Sequence, residues 1–335
     1  MPRIVKAVVA GALSAGIVCA GGCVKNAATG DKYFSPIGAL YGKQGTRDLA
    51  IQLGTDAAPE MAKEFGGGVA DARLQQYVKD IGAKLAALTE ADNPTLPWEF
   101  TLLDSSVINA FALPGGKVYV TRGLAERMTN EAQLAGVLGH EIGHVTAEHA
   151  MRRIGQQQAL TGALVVAGVA AASASEDSSA GKAATVLLPA VQVGGTLVVL
   201  KFGRDEESQA DTLGMRYMSK GGYNPRAQQQ VMQILKAASG GKGGGQPEWM
   251  STHPLPDTRI QRIEQLLRTE FAAATNDPKN QFYEERFQRE FLAGLKRLPA
   301  PSHKAEAEAA RLIELAAAHR SKGIGGGVCG PGCAH

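Results

Sequence analysis

From Asp71 to Leu88 the apolar residues Leu74, Val78, Ile81, Leu85 and Leu88 recur at spacings of three and four, which predicts an amphipathic helix. The pattern then changes. Trp98-Glu99-Phe100-Thr101-Leu102-Leu103 has the aromatic and β-compatible content of a strand. Asn109-Ala110-Phe111-Ala112-Leu113 and Lys117-Val118-Tyr119-Val120-Thr121 read as two more, joined by the turn signal Pro114-Gly115-Gly116. Thr129 or Asn130 can cap a helix running from Glu131 to about Gln158. Leu160 to Ala172 and Val186 to Phe202 are apolar arms around a polar turn, so residues 159–202 predict a hydrophobic helical hairpin lying against the domain or a membrane surface. Further helices are expected over 204–220, 225–238 and 257–270, and two more within 280–320, split at Pro299-Ala300-Pro301.

The ends differ from the middle. Arg3 and Lys6 precede an apolar run from Ala7 to Ala20 that closes on Ala20-Gly21-Gly22-Cys23, the anatomy of a secretory signal of the bacterial lipoprotein type. Cys23 is the expected lipidation site, with Cys19 as a weaker alternative. Residues 24–69 read as a tether and lead-in, 70–270 as the main domain, 271–322 as a helical extension and 323–335 as a disordered tail. All four cysteines sit at the ends, so any metal site in the core must use histidine and carboxylate. Cys329 and Cys333 suit a disulfide in an oxidising compartment. A net charge of +3 with no basic, aromatic-rich run excludes nucleic acid as the expected partner.

The predicted 131–158 helix carries His140-Glu141-Ile142-Gly143-His144, the pattern H-E-x-x-H. Helical residues four apart are separated by about 400° and about 6 Å, so both imidazoles lie on one face and can grip one Zn²⁺. Glu141 then lies beside the ion rather than on it, where it can take a proton from the attacking water. The flanking Gly136, Gly139 and Gly143 each cost a helix about 1 kcal/mol relative to alanine, a cost that close approach of another backbone or of substrate explains. Ala147 and Ala150 stand where a metzincin needs Gly and His, so the third ligand comes from elsewhere. On a straight helix His149 would lie about 140° round from His144, away from the same ion. The best candidate is Glu207, which completes a His₂Glu set and leaves one position open; Glu206 is the lesser one. Asp211, on the same helical face, can hydrogen-bond a ligand histidine and set its tautomer.

Asn109-Ala110-Phe111-Ala112-x-Pro114-Gly115-Gly116, Gly139-His140-Glu141-Ile142-Gly143-His144 and Glu207-x-x-Ala210-Asp211 together resemble the M48 peptidase family, the HtpX- and CAAX prenyl protease-like zinc metallopeptidases. The likeness spans about residues 70–270 and is nearest to the periplasmic BepA/LoiP-like branch. It implies an α+β, mainly helical gluzincin (zincin) fold with a small antiparallel sheet and an H-E-x-x-H active-site helix. It also implies one Zn²⁺ on His140, His144 and Glu207, with Glu141 as the base. Asn109, Ala110, Phe111 and Ala112 would form the edge strand that pairs with substrate backbone, since such an edge offers N–H and C=O groups to an extended peptide. Thr252-His253-Pro254-x-Pro256-x-x-Arg259-Ile260 also matches that branch. There His253 would stabilise the oxyanion, or else fill the open metal position and hold the enzyme latent.

The expected function is a zinc-dependent endopeptidase with polypeptide substrates, in unfolded or misassembled envelope proteins. It would sit in the bacterial periplasm on a lipid anchor, the outer membrane being favoured over the inner. The rival from another class is a non-catalytic zinc-binding lipoprotein acting as a chaperone or assembly factor. A further rival is an integral-membrane protease using 159–202 as two spans.

Overall fold

A computed structural model describes residues 23–90, 93–159, 201–239, 247–254 and 257–301. The signal-like start, the 159–202 hairpin except for its end residues, the Gly240–Gly245 loop and the tail with Cys329 and Cys333 lie outside the described residues. Among the described residues no helix is long and apolar enough to cross a membrane.

The three expected strands form: β3 (Glu99–Leu103), β4 (Ala110–Leu113) and β5 (Lys117–Thr121), after a short N-terminal hairpin of β1 (Cys23–Lys25) and β2 (Lys32–Phe34). The order is β3-β5-β4, so β5 is central and β4 stands at one edge. β4 runs antiparallel to β5, but β3 pairs with β5 in parallel, Glu99 opposite Lys117. The sheet is therefore mixed, a correction to the antiparallel expectation. Two chain reversals return β5 to the direction of β3, and β5 takes the place between them. The β4–β5 turn requires Gly115, at φ +78°, where a Cβ would meet the Ile51 Cα at 2.5 Å.

That close approach comes from α1 (Pro36–Glu64), in a stretch read from the sequence as a lead-in. Ser35 caps it by accepting from the Gly38 N–H, Pro36 starts it, and Gly42 kinks it at φ 67°. Its Ala57 and Met61, with Phe65 beyond its end, pack on Leu103, Leu113 and Tyr119 of the sheet. The helix α2 (Ala72–Ala86) is capped by Asp71, whose carboxylate accepts from the Arg73 and Leu74 N–H groups. It buries Leu74, Val78, Ile81 and Leu85, the face its periodicity predicts.

At the centre lies α3 (Glu131–Thr146), started by Asn130, whose side chain accepts from the Gln133 N–H. Nearly every residue of α3 is buried. The expected single helix to 158 is in fact two. Ala147 and Glu148 form a turn with Glu148 left-handed at φ 59°, and residues 149–159 resume as a helix. The Glu148 side chain accepts from the Tyr33 hydroxyl, tying this break to the N-terminal hairpin. Next along the chain is α4 (Arg204–Lys220), which crosses α3 at very short range: a Cβ on Gly139 would meet the Gly214 carbonyl oxygen at 3.2 Å, and one on Gly143 would meet the Ala210 oxygen at 2.9 Å. The glycines of the motif helix thus serve a helix–helix contact. α5 (Arg226–Ser239) and α6 (Asp257–Arg268) complete the layer behind α4.

Candidate metal centre

The α3–α4 crossing faces the His140–His144 stripe of one helix with Glu207 and Asp211 of the other. A one-turn helix, Trp249–Thr252, ends on His253 and brings that ring into the same space. One ligand atom from each of His140, His144, Glu207 and His253 lies within 4.8 Å of the others. The Nε2 atoms of His140 and His144 are 3.1 Å apart, and each is 3.5 Å from a Glu207 oxygen. A tetrahedral ion with bonds of about 2.0–2.1 Å sets its ligands roughly 3.3 Å from one another. Glu207 Oε2 is buried, lies 2.5 Å from an Arg259 nitrogen and still receives no directed hydrogen bond. Two imidazoles and a buried carboxylate converging on one point form a donor set that fits Zn²⁺.

Each of these groups is held from behind. His140 Nδ1 lies 3.0 Å from Asp211 Oδ1, as expected for a carboxylate setting a ligand tautomer. Asp211 also accepts from Gln228 Nε2 at 3.0 Å and from the Arg259 guanidinium at 2.6 and 2.8 Å. Arg259 is 3% exposed and bridges both buried acids. Burial alone would raise the carboxyl pKa values. For Asp211 the Arg259 charge outweighs that and holds it at about 2. For Glu207, His253 and Arg259 together keep it well below the usual carboxylate range. Burial also disfavours a charged His140, but the neighbouring carboxylates of Asp211 and Glu207 prevail and raise it to about 9. Burial, then the neighbouring His140, pushes His144 well below the ordinary histidine value.

Glu141 projects beside the cluster. Its Oε1 is 3.4 Å from the Trp249 indole N–H and 3.8 Å from His253 Nε2. His253 Nδ1 donates at 2.9 Å to Glu207 Oε1, and Trp249 stacks on its ring at 4.7 Å. Phe202 covers His144 with ring centres 4.1 Å apart, and its N–H donates to the Thr252 carbonyl. Glu141 and His253 are each 1% exposed, so in this conformation the centre is closed. Asn109 precedes edge strand β4; its Nδ2 donates to Glu248 at 3.2 Å, and its Oδ1 is buried without a partner.

Sequence reasoning thus names the residues that converge here: His140, Glu141, His144, Glu207, Asp211 and His253. It misses two. Arg259 was visible only as part of a motif, with no sign of its double ion pair. His149 was set aside on straight-helix geometry, yet the Glu148 break swings it back until its Nδ1 is 2.9 Å from His144 Nδ1. Nothing in the residue type of Glu148 signals a left-handed backbone.

An H-E-x-x-H helix crossing a glutamate-bearing helix beside a small sheet defines the gluzincin class of metallopeptidase fold. The chain belongs to Peptidase family M48, whose model matches residues 72–267. It is 31% identical over 247 residues to a beta-barrel assembly-enhancing protease of Yersinia pestis, covering 67% of this chain and 49% of that protein. The corresponding protein of Escherichia coli K12 is 33% identical over 193 residues, 57% of this chain and 38% of its own length. The mitochondrial metalloendopeptidase OMA1 of Schizosaccharomyces pombe is 31% identical over 222 residues, 66% of this chain and 61% of that one. The chain therefore spans about half, or less, of the length of the beta-barrel assembly-enhancing proteases it matches.

Proposed function

We propose that the chain is a zinc-dependent endopeptidase, with its metallopeptidase domain over 70–270 and an extension that begins at residue 271. The convergence of His140, His144 and Glu207 around one point, with Glu141 alongside, carries this reading. Zinc, when bound there, supplies a Lewis acid that polarises the scissile carbonyl and makes water a better nucleophile at neutral pH. Glu141 takes the proton of the attacking water and passes it to the leaving amine. Asp211 and Arg259 hold His140 and Glu207 in place for this. β4, with Asn109, Ala110, Phe111 and Ala112, takes the substrate as an added strand; its edge position supports that role.

His253 has two roles open to it: stabilising the oxyanion, or filling the fourth metal position and keeping the enzyme latent. Its 2.9 Å contact with Glu207 and its place among the potential ligands favour latency in this closed conformation. The substrates we propose are extended segments of unfolded or misassembled envelope proteins, in keeping with the names of the bacterial relatives. The signal-like start and Cys23 support a periplasmic, lipid-anchored location.

Cleavage of casein by zinc-loaded wild type, with Glu141→Gln in parallel, tests the activity. Wild type should cut, and the variant, still holding zinc, should not. Equal cleavage by both would sink the mechanism. If neither cuts but His253→Ala does, the enzyme is latent. If none cuts, the non-catalytic chaperone reading takes over.

A further inference from the structure

The contact between His149 and His144 is part of a longer chain. His149 is fully buried, and its Nε2 lies 3.0 Å from Gln209 Oε1 on α4. Gln209 Nε2 donates at 2.7 Å to Asp31 Oδ2, in the turn between β1 and β2. Asp31 is exposed, so the chain runs from solvent to the metal centre.

The polarity of every link follows from its outer end. An ionised carboxylate only accepts, so Asp31 must face the Gln209 amide nitrogen. Gln209 then presents its oxygen, also only an acceptor, to His149. His149 Nε2 must therefore carry a hydrogen, which leaves the Nδ1 of a neutral ring bare. Two bare or two protonated Nδ1 atoms at 2.9 Å would repel, so His144 Nδ1 carries the hydrogen between them. Its Nε2 is then bare and faces His140 and Glu207, with a lone pair free for a metal. His140 is held by a separate route: its Nδ1 faces Asp211, and in the zinc-free protein its Nε2 hydrogen points to the bare His144 Nε2 3.1 Å away.

We propose that Asp31, Gln209 and His149 form a directed hydrogen-bond relay that fixes His144 in its metal-binding tautomer, making His149 and Gln209 positioning residues. The inference rests on the zinc-site reading above. It also gives the N-terminal hairpin, which lies outside residues 72–267, a part in the site. Asn26 fastens that hairpin by donating from Nδ2 to the Thr146 carbonyl, and Arg152 stacks on Tyr33 at 3.8 Å.

The test measures zinc affinity of the full chain by chelator competition, together with imidazole nitrogen shifts of the zinc-free protein. His149→Phe keeps a ring but removes the acceptor, and should weaken zinc binding about 10- to 100-fold. His149→Gln, whose amide oxygen can accept, should recover most of the loss. Gln209→Lys, a donor only, should reverse the relay and lower affinity, whereas Gln209→Glu should preserve it. In wild type the shifts should show His144 protonated at Nδ1, and in Gln209→Lys at Nε2. Unchanged affinity in His149→Phe, or a wild-type His144 protonated at Nε2, overturns the relay. If His149→Phe fails to fold, the Gln209 variants at their partly exposed position decide. Wild type that binds no zinc, or binds it no better than Glu207→Gln, sinks the zinc site instead; the nitrogen shifts still judge the relay, because they need no metal.

Discussion

Replacing Gly214 with alanine adds one methyl group at the α3–α4 crossing, the contact that brings the two halves of the metal centre together. That methyl would lie 2.9 Å from the His140 backbone nitrogen and 3.0 Å from the Gly139 carbonyl carbon. Comfortable contacts between such atoms lie at about 3.5 Å or more. The obstacle is backbone on a buried helix, so the two helices must part by roughly half an ångström. Overpacking of this kind costs about 1–3 kcal/mol. Alanine recovers up to about 1 kcal/mol over glycine in helix propensity, leaving a net loss of about 0–2 kcal/mol in the zinc-free protein. The larger effect falls on the site, because His140 and His144 ride on one helix and Glu207 on the other. Metal–ligand distances tolerate only about 0.2 Å, so zinc affinity should fall on the order of tenfold or more. A tenfold loss removes about 1.4 kcal/mol of the stabilisation that saturating zinc provides. Thermal unfolding with and without zinc, beside a chelator competition, separates the two terms. A Gly214→Ala protein more stable than wild type, with undiminished zinc affinity, would refute the reasoning.

Arg259→Leu removes the cation between two buried carboxylates and should destabilise the fold by about 3–5 kcal/mol in denaturant unfolding; a change under about 1 kcal/mol would mean that the ion pairs contribute little. Asp71→Ala removes the cap of α2 and should cost about 1 kcal/mol at pH 7. The Arg73 N–H holds the Asp71 carboxyl below its ordinary value, so this contribution is fully present above about pH 3.9 and is lost as pH falls through the lowered value. The gap between wild type and Asp71→Ala should therefore narrow as pH falls through that lowered value in pH-dependent unfolding; a constant gap would contradict the cap's ionic character.

The metal motif was legible because it is local. A spacing of four on an apolar, capped helix places His140 and His144 on one face whatever else the chain does. Glu207 and Asp211 share a face for the same reason, and the glycines at 136, 139 and 143 announced a close neighbour without naming Gly214. The α2 face and the three strands were equally readable from periodicity. The parallel pairing of β3 with β5 was not, since strand content says nothing about which edges meet.

What the sequence by itself determined, then, is each helix face, each cap and the chemical kinds of ligand available. The tertiary structure alone decided how those faces combine. It set Arg259 on Asp211, 48 residues away, His149 on Gln209, 60 away, and Gln209 on Asp31, 178 away. It also turned Glu148 left-handed, against the preference of its residue type, where its side chain meets the hairpin residue Tyr33. The physical reason is that backbone hydrogen bonding and side-chain periodicity act within a few residues. A buried charge or imidazole finds its partner only when packing has removed water and left one geometry in which every donor meets an acceptor.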